Sequence, residues 1–246
     1  MNKMKTIKNS GELADALNMA HGFISIKRTS TDNPDVFTEK GCVLALLGRA
    51  FAGETLCFSG ENLTCHGAAV NFGFRDGLPD IPGGFGYFLS HGRGEGFPPG
   101  ERVKHSPEIG EGMLLGQPQD VMAGYNAICV KPHEPGDNAD TVTALATPDQ
   151  LSALIHMFCF RKTGYDDVIA PVVSGCASVF RIPFGELKRD EPRAVIGNID
   201  VFSRPHFAPD TFFFTVPGKD FEQMLEDAEN SVLSAQIWKK LEKRMT

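Results

Sequence analysis

Cysteine is the residue type in this chain best equipped to do chemistry, and three of the six copies sit beside small or polar neighbours. Cys65 lies in Thr64-Cys65-His66-Gly67-Ala68-Ala69, Cys176 in Ser174-Gly175-Cys176-Ala177, and Cys42 follows Gly41. Small neighbours leave room for a cofactor, a metal or a second stretch of backbone to approach a thiolate. Three thiolates from separate elements can bind one side of a soft metal ion or an iron–sulfur cluster. Cys42, Cys65 and Cys176 are therefore the candidate ligands, with an iron–sulfur cluster or another metal ion as the cofactor they would hold. Spacing names no fourth ligand; Cys57, close in sequence to Cys65, and His66 are the nearest candidates.

Two other readings of the same residues stay open. A cysteine in the first turn of a helix faces unpaired amides and the positive end of the helix dipole, which favours thiolate. With Thr64 as N-cap, Cys65 takes that position and becomes the reactive thiol of a small-molecule-binding protein or enzyme. His66 is no ready-made base for it, because adjacent helical residues diverge by about 100°. Alternatively the thiols are inert, since free cysteine is often just a small buried hydrophobe. Cys129 in Ala127-Ile128-Cys129-Val130 and Cys159 in Phe158-Cys159-Phe160 suit that reading best. Cys-x-x-Cys, Gly-x-Ser-x-Gly, dinucleotide and Walker motifs are all missing from the sequence.

The elements that would position these cysteines can be read from periodicity and caps. Ser10 caps a short first helix, Phe23 to Arg28 alternates as a strand, and a helix runs from about Thr38 to Ala52 with Cys42 inside it. Thr55 to Phe58 is a short strand, and a small-residue helix follows Thr64 and closes at Gly73. Residues 73–112, crowded with glycine and proline, read as one long loop carrying Arg75, Arg93, Arg102 and Lys104, suited to closing over a ligand. Beyond it, strands are expected at 127–131, 140–146, 168–173, 193–199 and 211–216. Thr147-Pro148-Asp149-Gln150 opens a helix with a capping box and proline in the first turn. A last helix spans about 219–243 with a stripe from Phe221 to Leu241. Strands and helices in this order give an α+β fold, a mixed sheet with packed helices, in a single domain over residues 1–246.

Composition narrows the partners. Lys plus Arg is 24 against 31 Asp plus Glu, a net charge of −7. Nucleic-acid binding needs a concentrated basic surface, so no nucleic-acid partner is expected. No apolar run approaches the roughly 18 residues of a membrane span. The basic start of the chain runs into Asn9-Ser10-Gly11-Glu12 rather than an apolar signal core, so the expected compartment is the cytoplasm. Six cysteines are too few for a disulfide scaffold, and free thiols are expected there. A small molecule or a redox protein is the expected partner, and the amphipathic last helix is a candidate surface for self-association.

The chain resembles the family called domain of unknown function 169, the uncharacterised archaeal and bacterial ArCR group. The resemblance rests on Cys42 followed by Ala50 and Gly53, on Cys65-His66-Gly67-Ala68-Ala69 with Gly73, and on the strand–helix unit from Ala144 to Leu154. Cys176 and the late Thr215-Val216-Pro217 continue it, so that it covers about residues 20–230. It implies a cytoplasmic prokaryotic protein with no assigned activity, and a shared site at the three matching cysteines.

Overall fold

Among the described residues, seven strands build one sheet, and helices cover both of its faces. A computed structural model describes residues 7–30, 41–75, 83–91 and 100–245. The strands are β1 (Ile24–Thr29), β2 (Leu56–Ser59), β3 (Ala127–Pro132), β4 (Thr141–Ala146), β5 (Val168–Ile169), β6 (Ala194–Gly197) and β7 (Phe212–Pro217). They form one mixed sheet in the order β2-β3-β1-β4-β7-β6-β5, antiparallel throughout except for the parallel pair β5–β6. The fold is α+β.

Residues two apart on a strand share a face, and that period divides the core in two. On the first face Ile24 and Ile26 of β1, Leu56 and Phe58 of β2, Ile128 and Val130 of β3, Leu145 of β4 and Phe213 of β7 form one buried cluster. Val142, Ala144 and Ala146 of β4 and Phe214 and Val216 of β7 belong to the opposite cluster. Every residue of β4 is buried, as a central strand covered on both sides must be. The Thr143 and Thr215 hydroxyls, paired in register across β4 and β7, satisfy each other at 2.9 Å.

Helices α2 (Val43–Phe51) and α3 (His66–Asn71) cover the first face, together with a π-helical turn, Ala177–Arg181, that runs straight into α7 (Ile182–Glu186). The second face is covered by α1 (Ser10–Ala16), α6 (Pro148–Phe158), α8 (Gly218–Asp227) and α9 (Trp238–Met245). The start of α6 follows the predicted chemistry: Pro148 occupies the first turn, and the Thr147 amide donates to Gln150 Oε1 at 2.8 Å. Among the described residues, no helix is long and apolar enough to cross a membrane.

Several expectations are corrected. Asn9, not Ser10, caps α1, its side chain accepting from the Glu12 amide. Of the helix expected from Thr38, residues 38–40 lie outside the described residues; α2 starts at Val43, so Cys42 is its N-cap and not an interior residue. The strand expected over 168–173 shrinks to Val168–Ile169. The final helix is broken: α8 ends at Asp227, two short turns of 3-10 helix follow, and α9 begins only at Trp238.

The long loop over 73–112 is not one loop. It contains α4 (Gly84–Ser90) and most of α5 (Pro107–Leu115), while its stretches 76–82 and 92–99, with Arg93, lie outside the described residues. Glycine is needed at the α4–α5 crossing. A Cβ on Gly86 would stand 2.3 Å from the Pro107 carbonyl oxygen, and one on Gly110 would stand 2.8 Å from the Gly86 Cα. These glycines allow close helix packing.

A second correction concerns the thiols. Cys57 and Cys129 are register partners on β2 and β3 and form a disulfide closing a sequence separation of 72 residues. Cys57 is therefore no fourth ligand and Cys129 is not a free core cysteine. A crosslink across a loop of this size restricts the unfolded chain strongly. The double variant Cys57→Ala/Cys129→Ala is expected to lose about 2–4 kcal/mol of unfolding free energy in urea titrations. Adding reductant should lower the wild-type protein toward the same value and leave the variant unchanged.

Candidate functional site

Three helix starts converge on the first face of the sheet, and each carries a cysteine. Cys42 is the N-cap of α2 and Cys65 the N-cap of α3. The expected cap Thr64 thus precedes the helix by one residue more, and Cys65 stands at its threshold instead of in its first turn. Cys176 immediately precedes the π-helical turn and is buried, whereas Cys42 and Cys65 are half-buried. All three pack on the same hydrophobic cluster. Cys159, the remaining free cysteine, packs with the cluster on the other face of the sheet.

The turn Ser174-Gly175-Cys176 holds this arrangement together. Ser174 Oγ accepts from Asn71 Nδ2 at 2.9 Å, joining the turn to α3, and from the Ala177 amide at 3.3 Å. Asn71 also donates to the Gly67 carbonyl at 2.8 Å, so one amide group ties both ends of α3 to the turn. The Gly175 amide donates to Asp200 Oδ2 at 3.1 Å. No other residue fits at 175: a Cβ there would stand 2.4 Å from Leu44 Cδ1 of α2 and 2.7 Å from Ser203 Cβ. Ser178 Oγ closes back on the Gly175 carbonyl at 2.8 Å.

The electrostatics of the site are one-sided. Burial pushes the Cys176 thiol well above its usual pKa, and Cys42, Cys65 and Asp200 push it further in the same direction. Cys42, Cys65 and Asp200 are thus each within electrostatic reach of Cys176. Glu101, tied to α4 by its amide donating to the Phe88 carbonyl at 2.9 Å, is raised to about 7 by burial and then by Asp200. Burial and like charge both disfavour ionisation, and only a positive charge brought into the site reverses that. Neither carboxylate was singled out by sequence; Asp200 and Glu101 sit in ordinary polar stretches, far from the cysteines along the chain.

Among the described residues, no group of three or more His, Cys, Asp or Glu side chains is arranged to hold a metal ion. The three cysteines border one hydrophobic cluster without closing into a single-ion cage among the described residues. His66 follows Cys65 as the first residue of α3.

Glu101 gives the site a pH signature. Its carboxyl holds its proton more tightly in the folded protein, at about 7, than at the ordinary 4.5 of the unfolded chain. Stability therefore falls as pH rises from about 4.5 to 7, by about 1–3 kcal/mol. Glu101→Gln should flatten that decline in unfolding titrations across the interval, and an unchanged slope would contradict the assignment.

No curated protein and no solved structure matches the chain. A family model does match, over residues 12–227, which takes in all seven strands, the cysteine-bearing turns and both carboxylates. Its description is of an uncharacterised group and supplies no activity. The chain belongs to the family domain of unknown function 169, uncharacterised ArCR.

Proposed function

We propose that the protein binds an iron–sulfur cluster through Cys42, Cys65 and Cys176. The observation that carries this reading is that three free thiols, from three elements, pack on one hydrophobic cluster, with Asp200 bonded to the turn that holds Cys176. All-sulfur donors suit iron–sulfur clusters and other soft metal centres. Among the described residues, no group of three or more His, Cys, Asp or Glu is placed to hold a single ion. A cluster would spread its thiolates over separate irons. Its net positive irons would also supply the charge that the raised Cys176 thiol lacks.

With three cysteine ligands, a four-iron cluster would have one iron without a protein thiolate. Such a position would receive a small molecule, or the cluster would exchange electrons with a redox partner. The chain's own residues would hold the cluster from three helix starts, and Asp200 would fix the Cys176 turn through the Gly175 amide.

A second reading draws on the position of Cys65. Cys65, half-buried at the start of α3, would act as a reactive thiol toward a small-molecule substrate.

Anaerobic purification, followed by iron and sulfide analysis and visible absorbance, separates the two. The cluster reading expects a brown protein with stoichiometric iron and acid-labile sulfide. Cys65→Ser and Cys42→Ser should each lose most of that iron, and Cys159→Ser should lose none. Colourless protein that takes up no iron on anaerobic reconstitution with ferrous iron and sulfide would overturn the cluster. Rapid alkylation of Cys65 relative to Cys159 in that metal-free protein would then carry the reactive-thiol reading.

A further inference from the structure

A second site lies at the other end of the elements that carry the thiols. Cys65 and Cys176 stand at the starts of α3 and the π-helical turn; Val70 near the end of α3 and Arg181 at the end of the turn line a cavity of about 840 Å³. That volume falls within the range of small-molecule pockets, roughly 300–1,000 Å³. Phe74, Phe85, Leu114, Met122 and Tyr125 supply its apolar and aromatic wall.

Arg181 is the unusual member. The residue is 8% exposed, and among the described residues its guanidinium meets only neutral acceptors. Nε donates to the Pro118 carbonyl at 2.8 Å, Nη1 to the Val70 carbonyl at 3.1 Å and Nη2 to Gln119 Oε1 at 3.0 Å. A guanidinium has five N–H groups, so two are left over. Burial lowers its pKa with no carboxylate offsetting the effect. The contrast within this chain is plain. Arg28 is paired with Asp140, Arg193 with Glu186 and Arg161 with Asp227.

Two acids do line the cavity, and neither neutralises Arg181. Glu111 is engaged by the Gly86 amide at 2.7 Å, and Asp120 sits exposed on left-handed backbone, its carbonyl accepting from Lys188 Nζ at 3.2 Å. Arg75 lies exposed on the cavity wall and adds a second positive charge. A buried cation without a counter-charge is a costly feature that an apolar residue of similar volume would avoid. Such a charge becomes favourable when an oxyanion meets its free N–H groups.

We propose that this cavity binds a small organic oxyanion, a carboxylate or phosphate carried on an apolar or aromatic body, with Arg181 holding the anionic group and Arg75 assisting it. The body of the ligand packs against Phe74, Phe85 and Tyr125. This site stands independently of whatever the thiols hold.

Isothermal titration calorimetry on the full chain tests it, with benzoate, phenyl phosphate, inorganic phosphate and benzyl alcohol as probes. Saturable one-site binding of benzoate or phenyl phosphate is expected, and the stronger of the two identifies the oxyanion. Inorganic phosphate, lacking the apolar body, and benzyl alcohol, lacking the charge, should each bind at least about tenfold more weakly. Arg181→Met should weaken the aromatic anion about tenfold or more in a chain that still unfolds cooperatively. Should that variant not fold, Ala123→Trp, which fills the cavity from its exposed edge and leaves Arg181 in place, must abolish binding. The proposal is overturned if neither aromatic anion binds saturably, or if binding survives Arg181→Met or Ala123→Trp undiminished.

Discussion

The candidate site depends on the missing side chain of Gly175. Leu44 of α2 and Ser203 approach its α-carbon so closely that any Cβ would collide with both. That approach brings the start of α2 against the turn holding Cys176, while Asn71 brings α3 to the same turn through Ser174. Three cysteines far apart in sequence border one hydrophobic cluster because one turn accepts contacts from two helices and an aspartate at once. The sheet beneath provides a rigid floor, since β4 and its neighbours are buried on both faces.

Charge imbalance, more than shape, marks both ends of this region as unfinished. Around Cys176 the neighbours are thiols and a carboxylate, so positive charge is wanted. Around Arg181, five residues later, the neighbours are neutral oxygens, so negative charge is wanted. The segment between them is a π-helical turn, a wide and uncommon geometry that recurs at functional sites. Its packing on β6 is equally tight: a Cβ at Gly197 would lie 2.5 Å from Ser178 Oγ. A protein that needed only stability would fill both ends with hydrocarbon.

Local signals carried far in the sequence, and long-range pairing did not. The strands at 127–131, 140–146 and 211–216 were legible because alternation and β-branched or aromatic residues act locally, and Thr147 to Gln150 announced a helix start through its own side chains. The glycine-rich stretch misled because glycine weakens helices in isolation. Here Gly86 and Gly110 gain more from letting α4 and α5 touch than they lose in propensity. The break after Asp227 was hidden because the apolar stripe continues through Leu233 to Trp238 on the same cluster, although the backbone changes direction. Cysteine neighbours pointed to Cys42, Cys65 and Cys176, but nothing in Val179-Phe180-Arg181-Ile182 tells that its arginine is buried without an acid. Such imbalance is a property of what packs around a residue, and only the fold supplies it.

The sheet also explains how one chain holds both a disulfide and a set of free thiols. Leu56, Phe58, Ile128 and Val130 face the cluster that contains Cys176, so the alternation of β2 and β3 turns Cys57 and Cys129 to the opposite face. They are register partners on adjacent strands and have each other as neighbours, whereas Cys42, Cys65 and Cys176 lie on the far side of a packed layer. Thiol–disulfide exchange requires a thiolate to reach a disulfide sulfur directly. With the sheet between them, the crosslink does not draw the three thiols into exchange, and they stay free.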